Sequence, residues 1–152
     1  MKKTFFKTGL VLVIALLAMS CSKDEIVNQD ARDQYVGTWS STSSGSLTLY
    51  QNGQSVGTVP INETATVTIT KSGSNALLID GSSYIVNGNI LSSNPAPVNE
   101  NSNGVNIVGT AISNGNLGSN IIILNDAITG TWNATNGATG NLSGTVIRTL
   151  TK

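Results

Sequence analysis

At 152 residues, with basic and acidic side chains in equal number, the chain fits one domain with a modest core, and it carries no charge excess that would draw it to nucleic acid. It has no histidine and a single cysteine, which excludes internal disulfides and thiolate or imidazole metal sites, and makes zinc, copper and haem chemistry improbable. No metal or other cofactor is expected.

The chain opens with the basic residues Lys2, Lys3 and Lys7, followed by the apolar run Gly9 to Met19 (GLVLVIALLAM). That run is short for a permanent span, and polar residues begin at once after it, so residues 1–20 read as a cleaved signal peptide. Loss of three lysines would leave the mature chain mildly acidic. The run ends Ala18-Met19-Ser20-Cys21, which resembles the bacterial lipobox. There a small residue, here Ser20, precedes the cleavage point, and the cysteine, here Cys21, is lipidated as the new N-terminus. Ala18 stands where leucine is commonest in that motif, and Met19 where a small residue is usual. The resemblance implies a membrane partner reached through lipid on Cys21, with each buried methylene contributing roughly 0.8 kcal/mol. Ser22-Lys23-Asp24-Glu25 then resembles the short acidic export signal of surface lipoproteins in the Bacteroidetes group. It implies an outer-membrane protein displayed on the surface. As part of the polar stretch 21–34, the same residues would also serve as a plain tether, with the domain facing the periplasm.

The domain is expected over 35–152. Its only charged side chains are Glu63, Lys71, Asp80, Glu100, Asp126, Arg148 and Lys152, so Ser, Thr, Asn and Gly must cover the surface. Hydrophobic period is two, clearest in Thr64 to Thr70 (TATVTIT), where Ala65, Val67 and Ile69 share one face. Asn-Gly pairs at 52–53, 87–88, 103–104, 114–115 and 136–137 predict hairpin turns, because both residues tolerate the positive φ of tight primed turns. Further strands are expected near residues 46–51, 76–80, 84–86, 89–92, 105–113, 117–124, 127–134 and 142–151. Residues 92–103, with Pro95 and Pro97, are excluded from a central strand and predict the longest loop. About eight to ten short strands joined by tight turns favour an antiparallel up-and-down meander that closes as a β-barrel. Its interior is expected to hold Val67, Ile69, Leu77, Ile79, Ile107, Ile123, Val146 and the two tryptophans.

Tyr35-Val36-Gly37-Thr38-Trp39 at the first strand contains Gly37-Thr38-Trp39, which resembles the Gly-X-Trp element that opens the barrel in lipocalins and their relatives. In that superfamily the tryptophan plugs one end of the barrel beneath a basic residue of the last strand. Alternation puts Arg148 on the core face of the last strand, so the resemblance implies a plug of Gly37, Trp39 and Arg148. The chain after Cys21 resembles the small lipocalin-like (calycin-type) lipoproteins of Bacteroidetes. A second copy, Gly130-Thr131-Trp132, resembles the opening strand of avidin-like proteins. It stands near the C-terminal end, and the polar residues of a biotin pocket find no counterpart, so Trp132 reads as a packing residue beside Ile128.

Catalytic chemistry is thin. The acids Glu63, Asp80, Glu100 and Asp126 each adjoin an Asn or Gly, which is where solvated acids sit in turns, and the serines lack a base. No catalytic residue and no enzyme activity are expected. The expectation is a lipid-anchored binding module for a small apolar ligand, a glycan or a protein. The alternatives are a structural or protective surface protein without a discrete ligand, and an enzyme inhibitor. An open interior cavity would favour a ligand carrier over the others.

Overall fold

A computed structural model describes residues 30–102 and 104–152. The leader, Cys21 and the acidic run 22–25 lie outside the described residues. A 3-10 turn at Asp33–Tyr35 leads into nine strands: β1 Gly37–Gln51, β2 Gln54–Ser72, β3 Ala76–Ile79, β4 Ser82–Asn87, β5 Ile90–Ser93, β6 Ala96–Ser102, β7 Val105–Leu117, β8 Ile121–Ala134 and β9 Thr139–Thr151. Among the described residues the fold is all-β and every strand pairing is antiparallel.

The expected Asn-Gly turns form at 52–53 and 136–137, with φ of 54° at Asn52 and 79° at Gly53, whereas the hairpin expected at 87–88 turns one residue later on Gly88 and Asn89, because Asn87 ends β4 opposite Ile90. Gly104, ahead of β7, is also at positive φ. Asn114-Gly115 is different, because it lies inside β7 and makes no turn. Gly115 is there for room: a Cβ on it would lie 2.2 Å from the Ile123 carbonyl oxygen of β8. The real break falls at Gly118-Ser119-Asn120, so the strand expected over 117–124 is divided between the end of β7 and the start of β8.

The strands form one sheet in the order β5-β4-β3-β2-β1-β9-β8-β7-β6, and a further β5–β7 pairing closes it into a ring. Closure is confined to one end. β7 carries two partners in succession on the same side, β5 against Asn114–Asn116 and β6 against Val105–Ala111. Beyond β5 the ring stays open, because β3 pairs only with Ile69–Ser72 of β2. The earlier part of β2 and the outer side of β6 are therefore free edges among the described residues.

The residues expected to form the longest loop instead supply β6, a correction with a simple cause. β6 has a neighbour on one side only, and an edge strand accommodates proline. The Asp80 N–H donates to the Thr68 carbonyl, which fixes even-numbered β2 residues as the ones whose backbone groups point away from β1. By alternation Pro60 directs its missing N–H to the free edge. In the same way the Leu117 N–H, bonded to the Asn89 carbonyl, assigns odd-numbered β7 residues to the β5/β6 side. Their β6 partners are even-numbered, so Pro97 also faces outward.

Two hydrophobic clusters fill the interior. The first, at the closed end, gathers Trp39, Ile69, Leu77, Ile79, Leu91 and Leu124 with their neighbours; the second packs Leu47, Val59, Ile107, Trp132, Leu142 and Val146. Of the interior residues expected from the sequence, Ile123 is misplaced. It is exposed, while its neighbours Ile122 and Leu124 are buried, a one-residue slip that inverts every side chain of a strand. Trp132 packs in the core and donates from Nε1 to the Tyr50 carbonyl at 3.2 Å. Glycine lets the sheet curl where strands press together: Gly109 and Gly130 are cross-strand partners, and a Cβ on either would sit 2.3 Å from a backbone oxygen of the opposite strand.

The compact unit runs from Ala31 to Lys152. Arg32, expected in the polar tether, is buried, and its Nη1 donates to the Ala76 carbonyl at 2.9 Å and the Gly73 carbonyl at 3.2 Å.

Candidate functional site

Between the two apolar clusters the inner wall turns polar. Ser43 on β1 stands opposite Glu63 of β2 on one side and Arg148 of β9 on the other. Arg148 Nε donates to Asp126 Oδ2 at 2.6 Å, and its Nη2 donates to Asp126 Oδ1 at 3.1 Å and to the Tyr84 hydroxyl at 2.6 Å. This two-pronged contact matches the planar fork of a guanidinium to the two oxygens of a carboxylate. Asp126 is 6% exposed. Burial works to lower the Arg148 pKa, but the hydrogen bond to Asp126, the Asp126 charge and the adjoining Tyr84 oxygen outweigh it, so the group is held above its ordinary value.

Asp126 was expected among the solvated acids, and its burial corrects that. The error came from reading Asn125 as a turn residue. In the structure Asn125 is mid-strand, and alternation puts Asp126 on the inward face with Ile122 and Leu124. Its partner lies twenty-two residues away, so only the β8–β9 register brings the pair together. Asp80, by contrast, is exposed in a turn, at φ 49°.

The plug at the closed end is also rearranged. Trp39 is fully buried, and its Nε1 donates to the Tyr35 carbonyl at 2.8 Å. The cation over its ring is Lys152, with Nζ 5.6 Å from the centroid, not Arg148. Lys152 Nζ donates as well to the Gln34 and Val36 carbonyls, at 2.8 and 3.1 Å, which ties the C-terminal residue across the start of β1. Gly37, at φ 127°, sits where a Cβ would touch the Lys152 side chain. Arg148 is inward as expected, but its hydrogen bonds are made to Asp126 and Tyr84.

A cleft of about 410 Å³ opens against this polar belt, walled by β1, β9, β8 and β7 with Ser82 and Tyr84 of β4, and rimmed by Ile61 and Glu63 of β2 and by Ala96, Val98 and Glu100 of β6. It lies where the ring is not closed. Its floor mixes Leu47, Ile107, Ile128 and Val146 with Ser43, Ser113, Asp126 and Arg148. Glu63 shares the inward face of β2 with Ile61 and Val67, and Glu100 that of β6 with Ala96 and Val98, so both carboxylates are on the lumen side of their strands. The sequence showed both acids but not the cleft, because the gap between β2 and β6 is a property of ring closure and leaves no local mark.

Among the described residues no three His, Cys, Asp or Glu side chains come together as a metal site needs. No protein-family model, no curated protein and no solved structure matches the chain.

Proposed function

We propose that this is a lipid-anchored, non-enzymatic binding module of the cell envelope: a lipocalin-like β-barrel, tethered through Cys21, that holds a small ligand in the cleft between β2 and β6. The observation that carries the reading is an interior packed at both ends yet interrupted by a cleft of about 410 Å³, where an oriented Asp126–Arg148–Tyr84 group meets apolar walls. That size and mixed lining are what small-molecule sites have, since apolar walls supply affinity and a few fixed polar groups supply orientation. Mass spectrometry of small molecules co-purified with the native protein tests it. A bound species lost on Ile128→Trp, which fills the floor of the cleft, is expected; no species, and no change on blocking, would count against a carrier.

The lipobox-like end of the leader and Ser22-Lys23-Asp24-Glu25 support an outer-membrane, surface-displayed address for the same module. Replacing Lys23, Asp24 and Glu25 with alanine is expected to leave the protein lipidated but shielded from protease added to intact cells. A structural or protective surface role without a ligand is the second reading. It is favoured by the scarcity of aromatic rings in the cleft, where Tyr84 alone lines the wall.

A further inference from the structure

The charge balance of the cleft points to the class of ligand. Three carboxylates, Glu63, Glu100 and Asp126, and one guanidinium, Arg148, line it. Asp126 and Arg148 neutralise each other through the two-pronged contact. Glu63 and Glu100 have no ion-pair partner among the described residues. They stand on opposite rims, one on each free edge, and both project to the lumen side. Their placement is unlike that of surface acids such as Asp33, which sits on the outside and is paired with Lys71. A ligand entering between the rims passes two unmatched negative charges before it meets Leu47, Ile107, Ile128 and Val146.

We infer that the cleft selects an organic cation: a molecule with an amine or other positively charged head, held by Glu63 and Glu100, and an apolar body laid on the floor between the two clusters. The inference rests on the binding reading above and adds the sign of the ligand's charge. A neutral apolar ligand would leave both carboxylates idle. An anionic one would have to compete with Asp126 for Arg148 while sharing the cleft with Glu63 and Glu100, whose like charges repel it.

Three probes of one shape and different charge separate these cases: phenylbutylamine, phenylbutanol and phenylbutyrate, titrated calorimetrically into the intact purified protein. The amine is expected to bind about tenfold or more tighter than the alcohol, a step of roughly 1.4 kcal/mol. Glu63→Gln with Glu100→Gln should abolish the amine's advantage, so that amine and alcohol bind the variant equally. Both side chains are exposed and unpaired, so the double variant keeps the fold. A measurement on the unaltered protein gives an independent check, since the amine's advantage should shrink as salt rises. Equal binding of all three probes overturns the charge inference and leaves the binding reading standing. Tightest binding of phenylbutyrate also overturns it and assigns recognition to Arg148. Failure of all three to bind counts against both.

Discussion

Replacing Asp126 with alanine removes two charge-assisted hydrogen bonds from Arg148 and leaves its guanidinium with only the Tyr84 hydroxyl. Breaking a fully buried ion pair from one side costs about 3 to 5 kcal/mol, because the remaining charge keeps its desolvation penalty and loses its compensation. Here the Arg148 side chain is 24% exposed toward the cleft, so water recovers part of that loss, and about 2 to 3 kcal/mol is the expected destabilisation. Urea unfolding followed by tryptophan fluorescence reads it directly. Adding Arg148→Met to Asp126→Ala should restore roughly 1 to 2 kcal/mol, because the charge that had lost its partner is gone. The pH dependence has a defined sign. A cation whose folded pKa is raised contributes stability that is fully present below its unfolded pKa and is lost only as pH climbs through the folded one. Arg148 therefore adds no slope to the wild-type stability between about pH 6 and 9. A shift for Asp126→Ala of under about 0.5 kcal/mol, the size of an ordinary surface change, would refute the claim that the pair is held out of water.

Trp39→Ala should cost about 3 to 5 kcal/mol, since a fully buried indole is lost and the Tyr35 carbonyl loses its donor; a urea midpoint within error of wild type would remove Trp39 from the core. Lys152→Ala should be much milder, about 0.5 to 1 kcal/mol, reflecting a single cation over the ring with its head near water, and thermal melts should rank it far below Trp39→Ala. Gly130→Ala should destabilise by about 1 to 3 kcal/mol or prevent folding, because the new methyl meets the Val108 oxygen and the Gly109 Cα, both backbone; a melting temperature equal to wild type would mean that β7 and β8 do not press together there. Cys21→Ser should move the protein from the membrane to the soluble fraction, checked by fractionation and intact-mass measurement.

Much of the fold is legible because its signals are local. The alternation of Val67 and Ile69 with threonines places β2, and Asn-Gly at 52–53 and 136–137 places two of the turns, with a third one residue beyond 87–88. Where the reading slipped, a non-local cause decided the matter. Gly115 is required by the approach of Ile123, not by a turn, and Pro97 is tolerated because β6 has one neighbour. Ile123 was misassigned because the break at 118–120 was missed and alternation was carried through from Leu117, and Asp126 because Asn125 was read as a turn. The site was the least legible part. Arg148 declares itself inward by alternation, but that it meets Asp126 and Tyr84, while Lys152 covers Trp39, follows from how β4, β8 and β9 are brought side by side.

The two outward-facing prolines bear on life in a crowd. Lipid anchoring would concentrate neighbouring copies into a thin layer, where open strand borders invite chain-to-chain stacking. With Pro60 on one border and Pro97 on the other, each run of donors is interrupted at a fixed point, and no continuous ladder can grow from molecule to molecule. The gap in the ring is thereby kept from recruiting its own kind.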